Sequence, residues 1–181
     1  MITRRTITCG LLALVAGGAA ATTAPADSAP APTHATQAVP FRSLQSGSFA
    51  ELVSARSNQP FLLILWSITC GPCRDEFTLL REVRASYPQL PLVLISTDDI
   101  NDRDVAATAL GNFGMTGEES WIFADDAQRL RYEIDPAWYG ELPRAYFYDA
   151  DHQRKGVSGK LSREQIETWL ANTTAEAARA N

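Results

Sequence analysis

Two cysteines, Cys70 and Cys73, are separated only by Gly71 and Pro72. Thiols at this spacing suit three uses: exchange of disulfides with a partner, half of a metal site, or inert packing in an apolar core. On a helix the second thiol would follow the first by about one turn, which is close enough for a disulfide. The rest of the sequence has to decide among these uses.

The other potential ligands in the chain argue against a metal site. Zinc would need two further ligands, yet the only other cysteine is Cys9, and the only histidines are His34 and His152. These three lie in a predicted export signal, a predicted linker and a predicted hairpin turn. A structural staple is also a poor explanation, because a disulfide across two intervening residues removes little chain entropy. Disulfide exchange is favoured, and binding of a soft ion such as Cu(I) stays open as an alternative.

The N-terminus resembles a secretory signal. Residues 1–26 combine the basic start MITRR, the apolar stretch CGLLALVAGGAAA and a small-x-small cleavage site at residues 24–26. Residues 27–40, rich in proline, alanine and threonine, predict a disordered linker. We therefore expect an exported protein of the periplasm, soluble after cleavage of the signal or tethered to the membrane if it stays uncleaved.

The composition of the chain limits the functional classes to which the protein can belong. The 181 residues carry a formal net charge of −5 without a long basic run, which argues against binding to nucleic acid. Hydrophobic residues make up 45%, enough for one ordinary core. We expect a monomer with a single folded domain over residues 41–171 and a flexible tail over residues 172–181.

Hydrophobic patterning predicts an α/β domain. Continuous apolar runs at residues 61–66 and 92–97 predict two buried strands, and residues 121–124 a short one. Residues 144–149 and 154–159 predict a hairpin. Helices are expected from a capping box at residues 48–51, over residues 71–86, from residue 101 to Gly111 or Gly114, over residues 125–134, and from a second capping box, Ser162 with Gln165, to residue 170.

This order of elements assigns unequal roles to the two thiols. Cys70 falls where the strand gives way to the helix, so its sulfur faces free N–H groups and the positive end of the helix dipole. That environment lowers the pKa of the Cys70 thiol and favours it as the attacking sulfur. Cys73 points inward as the resolving sulfur, Gly71 allows close approach of a partner, and Pro72 stiffens the first turn.

Three features together resemble the thioredoxin superfamily: Trp66 four residues before Cys70, the Cys-Gly-Pro-Cys sequence, and Leu142-Pro143 before a later strand. The resemblance covers about residues 41–170. It implies a three-layer α/β/α sandwich with a central mixed β-sheet. The export signal, an insertion over about residues 101–139 and the sequence CRDEF after the motif resemble the exported TlpA/ResA/DsbE-like group.

The resemblance implies a periplasmic reductase of protein disulfides, with cytochrome c maturation as one such role. The substrates would be protein disulfides or thiols, and the electron donor a membrane-embedded thiol reductant of the DsbD/CcdA kind. The only redox group would be the Cys70–Cys73 disulfide, without a further cofactor or metal. The residues expected at the substrate are Trp66, Gly71, Pro72, Leu142 and Pro143, the last after a cis peptide bond.

The chain departs from the pattern of the superfamily at the proton acceptor. Many thioredoxins carry a buried aspartate six residues before the first cysteine, where this chain has Ile64. Glu76 is the natural substitute, because it lies three residues after Cys73 and next to an apolar stripe. Burial would raise its pKa into the range useful for proton exchange with a thiol. The alternative is a solvated helix residue.

Other interpretations stay open at this stage. A thiol oxidant of the DsbA kind and a Cu(I)-binding metallochaperone are alternatives to the reductase. Trp138 and Tyr139 are equally consistent with an apolar lip for a partner and with burial. The four acidic residues Asp98, Asp99, Asp102 and Asp104 lack the glycine and final glutamate of a calcium loop, so capping and a solvated surface explain them better.

Overall fold

The computed structural model describes residues 40–180. The predicted signal segment and the predicted linker up to residue 39 lie outside these residues. Within them the chain forms six strands and five α-helices, with a short 3₁₀ turn at Ile100–Asp102 before the third helix. The elements are, in order, β1 Arg42–Leu44, α1 Ser48–Ser54, β2 Phe61–Trp66, α2 Gly71–Ser86, β3 Leu92–Asp99, α3 Arg103–Asn112, β4 Glu119–Phe123, α4 Ala127–Ile134, β5 Arg144–Tyr148, β6 Arg154–Ser158 and α5 Arg163–Ala180.

The six strands form one mixed sheet in the order β1-β4-β3-β2-β5-β6. The first four are parallel to one another, and β5 runs antiparallel to β2, with β6 antiparallel to β5. Strand β2 lies in the interior of the sheet, and all six of its residues are buried. A strand covered on both faces has no solvent side, which explains the unbroken apolar run that predicted it.

Alternation along β2 divides the core into two layers. Leu62, Ile64 and Trp66 pack on one face with apolar residues of α2, α3 and α5. Phe61, Leu63 and Leu65 pack on the other face with residues of α1 and α4. Side chains that alternate between faces are what a pleated strand requires. The predicted three-layer α/β/α sandwich with a central mixed sheet is therefore confirmed.

The predicted insertion adds a strand to the interior of the sheet. The chain leaves β3, forms α3 and returns as β4, which lies between β3 and the edge strand β1. Strand β1 was not predicted, because it has only three residues and two of them are exposed. Helix α3 buries Ala106 and Leu110 on the same side of the sheet as α2.

One predicted helix cap is wrong and the other is confirmed. The first helix has Gly47 as its N-cap, with φ of 85°, and its cap makes no side-chain hydrogen bond. Ser48 instead accepts a hydrogen bond from the Gln45 N–H at 3.2 Å. Before α5, the Ser162 N–H donates to Gln165 Oε1 at 2.7 Å, and the Gln165 N–H donates to Ser162 Oγ at 3.2 Å. These two bonds form the expected reciprocal capping box.

The C-terminal helix is longer than predicted. The predicted flexible tail over residues 172–181 is helical as far as Ala180, so the expected end of the helix at residue 170 is wrong. The segment is rich in alanine, the strongest helix former. Thr173 is 8% exposed and packs against the domain, and its hydroxyl donates to the Leu170 carbonyl at 3.0 Å. Both effects extend the helix beyond its amphipathic part.

Candidate functional site

The two cysteines lie where β2 passes into α2. Cys70 is the N-cap of α2 in an extended conformation, and its Sγ accepts a hydrogen bond from the Cys73 N–H at 3.2 Å. Pro72 lies in the first turn, where a missing N–H leaves no helical hydrogen bond unmade. The Cys70 sulfur thus occupies the position that a capping oxygen usually takes, at the positive end of the helix.

Cys70 and Cys73 form a disulfide with a Cα–Cα distance of 5.4 Å. Cys73 is 2% exposed, whereas Cys70 is only partly buried, so a partner can reach the Cys70 sulfur first. Gly71 and Pro72 are exposed, and a Cβ at Gly71 would have no other atom within 4 Å. The surface above the disulfide is therefore open to an approaching partner.

Leu142 and Pro143 lie at the same end of the sheet as the cysteines. Their peptide bond is cis, as expected. Leu65 of β2 is opposite Arg144 of β5, which puts Pro143 at the level of Trp66, where β2 ends before the cysteine motif. Pro143 is buried and its carbonyl accepts a hydrogen bond from the Gly159 N–H at 2.9 Å. Leu142 is half-buried and contacts both apolar layers.

Solved structures with this architecture include a secreted disulfide oxidoreductase of Mycobacterium tuberculosis, described as homologous to E. coli DsbE. It shares 20% sequence identity, with a TM-score of 0.52 over 66% of this chain and 85% of that one. A DsbF homologue from Corynebacterium diphtheriae has 16% identity and a TM-score of 0.55 over 66% and 75%. A thioredoxin-like protein in the oxidised form has 22% identity and a TM-score of 0.50 over 65% and 78%.

The chain has a thioredoxin-like fold. No protein-family model and no curated protein sequence matches it. At the identities of these structural neighbours the likeness concerns the fold alone, so the chemistry of the site has to be argued from its own residues.

Trp66 lies beneath the cysteine motif of the thioredoxin-like domain. It is 1% exposed, and its ring meets the ring of Phe77 edge to face at 5.2 Å between centroids. Its indole Nε1–H is buried and makes no hydrogen bond within residues 40–180. Trp66 therefore packs in the core and offers no exposed surface to a substrate, in contrast to Gly71 and Pro72.

Glu76 is buried on α2, one turn after Cys73. The residue is 1% exposed, and neither carboxylate oxygen has a hydrogen-bond partner in the described part of the chain. Desolvation by burial raises the pKa of Glu76 from 4.5 to about 7 and outweighs the opposing effect of the Leu161 backbone. The interpretation of Glu76 as a solvated helix residue is thus wrong. Its carboxyl can exchange a proton near neutral pH.

Ile64, at the position of the usual aspartate, is an ordinary core residue. It is 1% exposed and packs in the same apolar layer as Cys73 and Phe77. Glu76, one helical turn after Cys73, is a buried carboxylate on α2.

Asp98 holds the loop that leads to Cys70. The Ile68 N–H donates to Asp98 Oδ2 at 2.9 Å, and the Ser96 hydroxyl donates to the same oxygen at 2.6 Å. Ile68 is two residues before Cys70, so this contact fixes the approach of the chain to the sulfur. The sequence interpretation of Asp98 as a capping or surface residue missed this role. The signal for it was a carboxylate directly after a buried strand.

The other acidic residues near Asp98 serve local structure. Asp99 caps the 3₁₀ turn by accepting the Asn101 N–H at 2.9 Å. Within residues 40–180, no group of three or more histidine, cysteine, aspartate or glutamate side chains is arranged to hold a metal ion. No helix in this part of the chain is both long and apolar enough to cross a membrane.

The two aromatic residues before Leu142 have opposite environments. Trp138 is 4% exposed, and its Nε1–H donates to the Glu141 carbonyl at 2.9 Å, which closes the turn. Tyr139 is 93% exposed. The two therefore do not form a joint apolar lip: Trp138 anchors the turn, and Tyr139 alone projects into solvent.

Proposed function

We propose that the protein is a thiol–disulfide oxidoreductase that reduces protein disulfides. The observation that carries this proposal is the disulfide at the start of α2, with a partly exposed Cys70 sulfur and a buried Cys73 sulfur. Such asymmetry separates an attacking thiol from a resolving thiol. The structural neighbours described as disulfide oxidoreductases support the same chemistry.

In the proposed reaction, the reduced Cys70 attacks as a thiolate, favoured by the free N–H groups of α2. It forms a mixed disulfide with one substrate sulfur and releases the other, which takes up a proton. The Cys73 thiolate then attacks the Cys70 sulfur and releases the second substrate thiol. The substrate disulfide gains two electrons, and the protein ends as the Cys70–Cys73 disulfide.

We propose that Glu76 accepts the proton that the buried Cys73 thiol has to lose. Cys73 has to lose a proton before it can attack, and it is shielded from solvent. A carboxyl one helical turn away, with a pKa of about 7, can accept that proton at neutral pH without a large energetic cost. The carboxyl group returns the proton when the disulfide is reduced again.

The proposal includes the cellular setting. The N-terminal signal features support export to the periplasm, with a membrane-embedded thiol reductant as electron donor. Cytochrome c maturation is the setting in which the first client should be sought, because the haem attachment motif CxxCH can itself form a disulfide. Fractionation of cells that express the full chain tests the location: recovery in the cytoplasm would contradict it.

The Cys73→Ala variant tests the assignment of the two sulfurs. Without its resolving thiol, the protein should accumulate a mixed disulfide between Cys70 and a CxxCH peptide disulfide, visible as an added mass. The Cys70→Ala variant is the matched control and should accumulate none. If only the control formed the adduct, the two roles would be reversed.

The reduction potential and metal affinity separate the alternative functions. A reductase should equilibrate with glutathione near the value for thioredoxin, about −270 mV, whereas a DsbA-type oxidant lies near about −120 mV. Titration of the reduced protein with Cu(I) tests the alternative that it is a metallochaperone. Tight binding of one ion without any disulfide exchange would replace the present proposal.

A further inference from the structure

A groove of about 310 Å³ is lined by both Cys70 and Cys73. It lies on the β3 side of β2, whereas Leu142 and Pro143 precede β5 on the other side. It runs between the start of α2 and the end of α3, the helix contributed by the insertion. Besides the cysteines, its walls include Ile68, Phe77, Ala109 and Phe113 as apolar residues, and Arg74 and Asn112 as polar ones. Its size is at the lower limit of ligand pockets, about 300 Å³, and suits a side chain or two better than a larger ligand.

The base of the groove is aromatic and only partly covered. Phe113 stacks on Phe77 with 5.0 Å between ring centroids and an angle of 24° between their planes. Phe77 is 1% exposed, whereas Phe113 is half-buried and leaves apolar surface facing the groove. An apolar side chain that entered would remove this surface from water, which is favourable.

The rim of the groove carries one positive charge. Arg74 is exposed, and within residues 40–180 its side chain makes neither an ion pair nor a hydrogen bond. Among the described residues that line the groove, none is acidic. The nearest acidic residue along α2, Asp75, is paired instead with Lys160 at 3.0 Å. A carboxylate brought to the rim would therefore meet an uncompensated guanidinium.

We propose that this groove is a substrate subsite, which receives an apolar side chain next to the substrate cysteine and pairs an acidic substrate residue with Arg74. The occupant is part of a protein disulfide, because a sulfur bonded to Cys70 necessarily places its neighbouring residues at the mouth of the groove. The inference rests on the proposed function and adds a class of substrate to it: disulfides flanked by an aromatic and an acidic residue.

The test uses the full chain in its reduced form and three peptide disulfides of equal length. Their cysteines are flanked by phenylalanine and aspartate, by phenylalanine and lysine, or by glycine and aspartate. Single-turnover rates should be about tenfold higher for phenylalanine than for glycine, from burial of the ring. They should be about threefold higher for aspartate than for lysine, as expected of an exposed ion pair.

Two variants locate the effect in the groove. Arg74→Glu should reverse the preference between aspartate and lysine, whereas the same change at the exposed Arg129 on α4 should leave it unaltered. Ala109→Leu should fill the groove and abolish the preference for phenylalanine. Each peptide rate is divided by the rate at which the same variant reduces the small neutral hydroxyethyl disulfide, so that a change in the reactivity of Cys70 does not count as a change in preference. Circular dichroism shows that each variant is folded.

Three results would overturn the inference. Equal rates for all three peptides, with hydroxyethyl disulfide still reduced, would remove the subsite and leave the proposed function intact. Faster reaction of oxidised glutathione than of the phenylalanine–aspartate peptide would assign the groove to a small thiol. Failure of the unaltered chain to reduce hydroxyethyl disulfide would remove the proposed function and the subsite together.

Discussion

Glu76 and Asp135 are both largely buried carboxylates, yet their pKa values are shifted in opposite directions. Glu76 lies beside the disulfide with no hydrogen-bond partner for either oxygen in the described residues, and burial raises its pKa to about 7. Desolvation by burial raises the pKa of Asp135 as well. Hydrogen bonds from Tyr146, the Ala137 N–H and Arg144, with the charge of Arg154, outweigh it and lower this pKa.

The contacts of Asp135 explain the difference. Its Oδ2 accepts from the Tyr146 hydroxyl at 2.8 Å and from Arg144 at 3.2 Å, and its Oδ1 lies 3.5 Å from Arg154. Gly156 allows Arg144 to take this place, because a Cβ there would come within 2.4 Å of the guanidinium. These contacts favour the charged form of Asp135, which joins α4 to the hairpin. Glu76, left without such partners, is free to change its charge.

Replacing the paired carboxylate should have the largest effect on stability. Asp135→Asn leaves Arg154 without its carboxylate partner and Arg144 with only Glu141 at 3.5 Å, and should lower the free energy of unfolding of the oxidised protein by about 3 kcal/mol. Because the folded pKa of Asp135 is lowered, its contribution is present above the ordinary pKa of 3.8 and is lost as the pH falls. Urea unfolding at pH 7 and in acid measures both effects.

The matched control is Asp151→Asn, in the exposed turn between β5 and β6. It should change the free energy of unfolding by less than about 0.5 kcal/mol. Equal losses for the two variants would show that the cluster around Asp135 adds nothing beyond a surface charge.

Replacing the unpaired carboxyl should act in the opposite direction. The raised pKa of Glu76 means that its charged form is penalised in the folded state, so stability falls as the pH rises from 4.5 to about 7. Glu76→Gln removes this penalty and should raise the free energy of unfolding at pH 8 by about 2 kcal/mol, after the cost of a buried amide. The gain should vanish below pH 4.5.

Glu82→Gln, at an exposed position on the same helix, is the control for this pH dependence. Its free energy of unfolding at pH 8 should differ from that of the unaltered chain by less than about 0.5 kcal/mol, since the ion pair that it makes with Arg163 is exposed. A profile for Glu76→Gln parallel to that of the unaltered chain would mean that the pKa of Glu76 is the same in the folded and unfolded states, so that burial does not raise it.

The same substitution should slow the step that resolves the mixed disulfide. Without a proton acceptor beside Cys73, the rate at pH 7 should fall by about tenfold or more, and the inflection near pH 7 should disappear from the pH–rate profile. Stopped-flow measurement of product thiol release follows this step. An unchanged profile in Glu76→Gln would leave Glu76 only a structural role.

The smallest expected effect concerns the loop before Cys70. Asp98→Ala removes the acceptor of the Ile68 N–H and should cost about 1 kcal/mol. Asp98→Asn keeps an oxygen at this place and should recover most of the loss. As a positioning residue, Asp98 should also shift the glutathione equilibrium of the disulfide in Asp98→Ala but not in Asp98→Asn. If both variants shifted it equally, the charge rather than the position would matter.

Local sequence determined much of the framework around the site. The apolar run of β2, the helix after it, the hairpin and the second capping box follow from patterns within a few residues. The bounds of β2 and α2 agree with the prediction, because a buried strand and a proline-started helix have strong local signals. The three-residue strand β1 was missed because its pairing with the distant β4 decides it. The end of α5 was missed because helix propensity and the packing of Thr173 act together there.

The motif Cys-Gly-Pro-Cys, with the strand before it and the helix after it, determined where the disulfide of the proposed chemistry lies, at the start of α2. Only the tertiary structure decided the charge states around it. Glu76 and Asp135 look alike in the sequence, and what separates them is whether the fold brings cations and donors to a buried carboxylate. Desolvation and pairing depend on residues far away in the chain, so no local pattern contains them.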